Sequence, residues 1–374
     1  MRIEGDFIKI TEWLLPFSWL YGIGVKVRNW LFDIGLLKSQ SYDTPVISVG
    51  NITVGGSGKT PHVEYLVGLL RKMVKVAVLS RGYKRHTKGY VLANDDTTMP
   101  EIGDEPFQIH RKYGDIYVAV DKNRRRGIDR LEHDDATKDV EVILLDDAFQ
   151  HRYVKPGINI LLVDYHRLII YDRLLPAGRL REQKEGAVRA DIIIITKCPT
   201  DLKPMEFRVL KRAMNPFPFQ QLFFTTIKYN DLVAVFGDAR RPITGITPDT
   251  HILLLTGIAS PQQMIVDLQT VSKHITPLIF ADHHRFTPAD EARINSEFKA
   301  LPSPKIIITT EKDSTRLQHT TMLSDEVRHN TFALTMEIKF LLDGEKMFDK
   351  KIIDYVRKNS RNSILAKRKN DNKA

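Results

Sequence analysis

Cysteine is nearly absent from this chain: Cys198 is the only one among 374 residues. That excludes an intramolecular disulfide and a zinc centre built from cysteines, and it fits a reducing compartment. Long apolar runs are missing as well. The uncharged stretch near the N-terminus, WLLPFSWLYGIGV at 13–25, is too short for a bilayer span and contains Pro16 and two glycines. It lacks a preceding basic region with a small-residue cleavage site, so no secretory signal is expected. No internal repeat is visible, which argues against a solenoid. An acidic balance is lacking too: 56 Lys and Arg stand against 46 Asp and Glu, for a net charge of +10. Such a chain suits an anionic partner, whether nucleotide, nucleic acid, phospholipid surface or phosphorylated substrate.

What is present describes a globular protein, with 42% hydrophobic and 27% charged residues, and a length that favours two domains. All three tryptophans, at 13, 19 and 30, fall in the first forty residues beside Lys26 and Arg28. Aromatic rings with basic neighbours suit a membrane interface; a helix pair packed on its own domain is the alternative. Residues 1–40 are therefore expected to form a membrane-interfacial helical segment.

From Pro45 the chain alternates between apolar runs (PVISVG, VKVAVLS, DIYVAV, VEVILLDD, INILLVD, DIIIIT) and helical segments. Near-continuous apolar runs are the mark of parallel strands covered on both faces. The pattern predicts an α/β fold with a doubly wound, mostly parallel sheet of the P-loop NTPase type over 41–230. Segments 221–229 and 232–238 read as a β-ribbon linker to a second, smaller α/β domain over 231–356. Residues 357–374 read as a basic flexible tail.

Between the strand VISVG and a helix beginning near Pro61 lies NITVGGSGKT, a phosphate-loop pattern in the required context. Thr53, Val54, Gly55, Gly56, Ser57, Gly58, Lys59 and Thr60 form the candidate nucleotide site. The glycines let the backbone curl around phosphate, Lys59 would reach the β/γ-phosphates of ATP, and Thr60 would hold Mg²⁺. Thr53 breaks the strict pattern. The loop instead resembles the deviant form KGGxGK[ST], with Val54 where that form has a lysine. Asp146 and Asp147 end a buried strand, where acids lie beside the ligand crevice; a capping role is the alternative. Asp104 and Glu105 precede a helix and could equally be caps. Arg179, Arg181 and Glu182 follow a Pro-Gly turn in what could be an ordinary charged loop. ITKCP at 195–199 lacks the aspartate of the guanine-reading NKxD element.

Taken in order, VGNITVGGSGKTP, LSRGYKR, GDEP, LLDDAFQH, LLPAGRLRE, ADIIIITKCP, FADHHRF and TTEKD resemble the tetraacyldisaccharide 4′-kinases of lipid A biosynthesis. The resemblance covers 49–313. It implies transfer of the ATP γ-phosphate to the 4′-hydroxyl of a lipid disaccharide 1-phosphate by an enzyme at the cytoplasmic face of the inner membrane, peripheral or monotopic. It implies Asp104 as catalytic carboxylate with His283 as partner, although His284 stands beside it, and Asp146, Asp147 and Glu182 as metal-side acids. Arg81, Tyr83, Arg124 and Arg181 are candidates to meet the substrate; the Arg124 segment could also be a solvated helix start. Neither nucleic acid nor an obligate protein partner is expected. The competing reading is a regulatory or metallochaperone NTPase of the deviant-loop branch.

Overall fold

The computed structural model describes residues 10–258, 261–282 and 284–371. The chain divides into two compact units: one holds everything up to Ile227 together with the segment from Ile338 on, and the other is Lys228–Glu337.

The first unit is built on strands β1 (Val46–Gly50), β2 (Val76–Ser80), β3 (Val91–Leu92), β4 (Tyr117–Val120), β5 (Val142–Asp146), β6 (Ile158–Asp164), β7 (Ile192–Thr196) and β8 (Gln221–Ala234). Its helices are α1 (Leu15–Asp33), α2 (Lys59–Leu70), α3 (Met99–Ile102), α4 (Asp104–Lys112), α5 (Arg124–His133) and α6 (Pro204–Met214). The strand order is β8-β7-β6-β1-β5-β2-β4-β3, and every neighbouring pair is parallel except β3 with β4. Alternation along each strand feeds two cores. In β7, Ile192 and Ile194 enter one cluster and Ile193 and Ile195 the other; β6 divides likewise, with Ile160 and Leu162 against Leu161 and Val163. This is why the strands read as unbroken apolar runs.

The second unit contains β9 (Arg240–Pro242), β10 (His251–Thr256), β11 (His274–Ile279), β12 (Lys305–Thr310) and β13 (Thr331–Phe340). Helices α7 (Gln262–Gln269), α8 (Pro288–Ala300), α9 (Glu311–Leu317) and α10 (Asp325–His329) accompany them. Strands β11, β10, β12 and β13 are parallel in that order. Helix α8 starts where Thr287 and Asp290 form a reciprocal capping box around Pro288.

Two expectations need correction. Segments 221–229 and 232–238 are not two arms of a ribbon, because one strand, β8, runs from Gln221 to Ala234. The second domain does not extend to 356, since its unit ends at Glu337, and the segment expected as a basic flexible tail from 357 continues helix α11, which spans Gly344–Asp371. Phe348, Ile352 and Val356, four residues apart, line one face of that helix and are buried in the core of the first unit. Tyr65 donates to Asp349 at 2.8 Å, and a β-carbon on Gly157 would collide with the Tyr355 ring.

Two outcomes follow. Ile352, fully buried, should cost about 2–5 kcal/mol when replaced by Ala, read as a lower midpoint in urea unfolding. Burial pushes the Cys198 thiol up to about 12. At pH 8 almost none of it is then thiolate, against about a quarter for an ordinary thiol. Alkylation at pH 8 should be far slower in the folded protein than in urea; equal rates would contradict this burial.

Candidate active site

The phosphate loop fills the turn between β1 and α2. Gly55 at φ 119° and Gly58 at φ 81° occupy backbone conformations that a β-carbon would strain. Gly58 caps α2, so the loop ends at the amide-rich start of a helix, where an anion is favoured. Three successive loop carbonyls are each held by a side chain. Lys197 Nζ donates to Gly56 O, Thr196 Oγ1 donates to Ser57 O at 3.0 Å, and His62 Nδ1 lies 2.7 Å from Gly58 O. Burial pushes the His62 pKa down to about 4. The ring is therefore neutral near pH 7, with Nδ1 donating to the carbonyl and Nε2, 3.1 Å from Thr225 Oγ1, accepting. Within the loop, Asn51 Nδ2 donates to Ser57 Oγ at 2.7 Å and to Thr53 Oγ1 at 3.3 Å, while Val54 N donates to Arg179 O.

Asp146 and Asp147 sit side by side with opposite electrostatics. Asp147 adopts a left-handed backbone at φ 47°. Its Oδ1 lies 3.0 Å from Arg181 Nη2 and 3.6 Å from Lys59 Nζ. Burial would raise its pKa, but Lys59 and Arg181 outweigh that and hold it at about 2. Asp146 is 1% exposed. Burial, then Glu105 and Asp147, push it up to about 7. Ser80 Oγ donates to its Oδ2 at 3.1 Å, whereas its buried Oδ1 has no hydrogen-bond partner among the described residues. Neighbouring acids with divergent pKa values mark a functional site.

Glu105 acts on Asp146 from the start of α4, which places that helix start near the end of β5. Asp104 is the first residue of α4 and Gly103, at φ 92°, is its cap. A β-carbon on Gly103 would meet Tyr83 O at 2.8 Å, so the turn carrying the exposed Arg81 and Tyr83 lies against this helix start. The half-buried His151 is pushed down to about 4 by burial and then by Arg124, Arg125, Arg81 and Arg28. The loop after β5 is thus ringed by arginines from three separate segments.

Several expected residues take other roles. Arg124 does not meet solvent: it is 2% exposed, and its two Nη atoms donate to Asp121 O at 2.6 Å and Asp146 O at 3.0 Å. It braces strand ends rather than awaiting a phosphate. Arg181 is likewise a strut, donating to Asn51 O at 3.0 Å as well as to Asp147. Glu182 is 1% exposed and engaged by Arg189 at 2.5 Å and by Asn29 at 3.4 Å. The described residues contain no group of three or more acids, histidines or cysteines able to share an ion, so Asp146, Asp147 and Glu182 are not gathered as one set. His283 lies outside the described residues. His284 Nε2 is paired with Asp290 at 2.8 Å. The sequence marks none of Asn51, Lys197 and Arg28 as a site residue, although Asn51 opens the phosphate-loop pattern, Lys197 stands in ITKCP and Arg28 lies among the tryptophans.

Helix α1 is fastened to the same loops by its polar face. Ser18 Oγ donates to Leu174 O at 3.0 Å, Tyr21 to Arg181 O at 2.7 Å and Arg28 to Gln150 O at 3.0 Å. Arg152 clasps Asp33 at 2.6 Å. Several of its large apolar residues are exposed, although Phe32 is buried against Tyr153: Trp19 is 72% exposed, Leu20 67% and Ile23 60%, with Trp13 at 73% just ahead of the helix. Among the described residues no helix is long and apolar enough to cross a membrane. Residues 1–9 of the expected interfacial segment lie outside the described residues.

Comparison with known proteins follows this geometry. The family model for tetraacyldisaccharide-1-P 4′-kinase (LpxK) matches residues 10–357. A tetraacyldisaccharide 4′-kinase of Phocaeicola vulgatus is 56% identical over 364 residues, covering 96% of this chain and 99% of the relative. One from Porphyromonas gingivalis is 42% identical over 359 residues, covering 94% and 99%. Among solved structures, the "apo" form of LpxK from Aquifex aeolicus in complex with ATP is similar with a TM-score of 0.68 and 32% identity, covering 92% of this chain and 98% of that one. The chain belongs to the tetraacyldisaccharide 4′-kinase family.

Proposed function

We propose that this chain transfers the γ-phosphate of ATP to the 4′-hydroxyl of a tetraacyl disaccharide 1-phosphate, at the cytoplasmic face of the inner membrane. The observation that carries this reading is the phosphate loop, with Gly58 opening α2 and Lys59 drawn against Asp147 beside the unpartnered Asp146 oxygen. A regulatory or metallochaperone NTPase is not favoured, since the family match runs almost the whole chain.

In phosphoryl transfer the protein mainly positions reactants and offsets charge. Lys59 and the amides at the start of α2 bind the phosphate chain. Asp147, kept ionised, holds Lys59 in place. A divalent cation suits the remaining donors: Asp146 has an unsatisfied buried carboxylate oxygen, Thr60 is the second residue of α2, and both present hard oxygen ligands. So few protein ligands suit Mg²⁺, which takes its other ligands from phosphate and water. When bound, Mg²⁺ would neutralise charge on the transferring phosphate. Asp104, at the head of α4, accepts the proton of the sugar hydroxyl. Arg81 and Arg28, with the basic surroundings of His151, favour an anionic substrate.

The membrane reading rests on the reversed polarity of α1. A helix that docks by hydrogen bonds and displays tryptophans lies comfortably in a headgroup layer. A substrate with four acyl chains stays in that layer, so the enzyme must meet it there.

Replacing Asp104 by Ala should lower kcat about 10²–10⁴-fold while leaving ATP affinity nearly unchanged; wild-type turnover would remove Asp104 from the role of base. Changing Trp13, Trp19 and Trp30 together to Ser should cut co-sedimentation with anionic phospholipid vesicles at least about tenfold, with little change in melting temperature, because each ring is more than half exposed. Undiminished sedimentation would exclude this surface as the anchor.

A further inference from the structure

Lys197 stands in a stretch, ITKCP, that has no guanine-reading aspartate, and the catalytic scheme above does not use it. Three observations single it out. Its backbone is left-handed at φ 58°, a conformation unfavourable for a non-glycine residue. Its ammonium group is largely enclosed and paired with Asp164 at 2.7 Å, while Asp164 is itself fixed by accepting from His166 N at 2.9 Å. The same ammonium donates to the Gly56 carbonyl of the phosphate loop. The preceding side chain, Thr196, donates to the next carbonyl, Ser57 O, at 3.0 Å.

We infer that Lys197, with Thr196, is a positioning residue for the nucleotide, holding the phosphate loop with its carbonyls turned away from the bound phosphates. A peptide plane that offers its carbonyl on one side offers its N–H on the other. Fixing Ser57 O and Gly58 O thus turns the amides of Gly58 and Lys59 the opposite way. Gly55 and Gly56 leave the start of the loop with little steric resistance to rotation. An unheld Gly56 carbonyl could swing toward the cradle, where its negative end would repel phosphate. The Lys197 bond blocks that flip, and its charge lies beside the loop where Val54 supplies none. This places a cation at the loop from the end of β7 rather than from within the loop sequence. The inference deepens the kinase reading and rests on ATP binding at this loop.

The test is equilibrium binding of ATP, and separately of inorganic tripolyphosphate, to full-length wild type, Lys197→Met, Lys197→Arg and Thr196→Val, with melting temperatures and steady-state kinetics alongside. A charge-assisted hydrogen bond to a carbonyl predicts that Lys197→Met weakens both ligands roughly tenfold to a hundredfold. The KM for ATP should rise in step, the KM for the lipid should stay put, and Lys197→Arg should recover most of the loss. Thr196→Val should weaken tripolyphosphate several-fold and carries the test if Lys197→Met does not fold. Wild-type affinity for tripolyphosphate in the folded Lys197 and Thr196 variants would overturn the inference. So would a loss confined to ATP, which would mean contact with the nucleoside instead. A uniform loss that follows a falling melting temperature, with no rescue by Arg, would also overturn it by reducing Lys197 to a stability role. If wild type itself bound no ATP, the kinase reading would fall first.

Discussion

The Asp147 carboxylate ties three segments of the chain at one point. It follows β5 in a left-handed backbone, takes Lys59 from the head of α2, and takes Arg181 from the loop that follows the Pro-Gly turn. Arg181 reaches on to Asn51 at the end of β1, and its own carbonyl receives Tyr21 of α1. Removing that one charge would leave two cations without their anion and loosen the phosphate loop, the arginine loop and the N-terminal helix together. Its low pKa is the electrostatic expression of the same arrangement: burial opposes ionisation, and two cations overcome it. Asp146, one residue earlier, moves in the other direction, because burial, Glu105 and Asp147 outweigh Lys59 there.

The sheet and the phosphate loop were legible in the sequence because their physics is local or periodic. Strands such as Ile192–Thr196 are covered on both faces and so carry no polar alternation, and glycines at 55 and 58 stand where the backbone turns left-handed. The rest depends on partners distant in sequence. Arg124 sits in a run of three arginines that looks like a solvated helix start; its burial is set by carbonyls at Asp121 and Asp146. Glu182 looks like a metal-side acid until Arg189 and Asn29 are seen to occupy it. The apolar stripe of Phe348, Ile352 and Val356 is diluted by lysines, and nothing in the sequence says it returns to a core begun some three hundred residues earlier. Lys197 was passed over because its motif lacked an aspartate, although the part that touches the phosphate loop was intact.

Helix α1 reverses the usual allocation of side chains. Most surface helices bury their apolar stripe and leave the polar face to water. Here hydrogen bonds from Ser18, Tyr21 and Arg28, with the buried Phe32, make the docking face, and Trp19, Leu20, Ile23 and Trp30 are left outside. An exposed apolar patch of this kind signals a contact surface.

Gly22 gives that arrangement a dimension. A β-carbon at this position would come within 2.8 Å of the Leu174 side chain, so the helix backbone rides directly on the loop that leads to Arg181 and Glu182. No spacer separates the exposed apolar surface from the arginine loop. A surface that receives that face therefore lies one helix's width from the loop that carries Arg181 and Glu182.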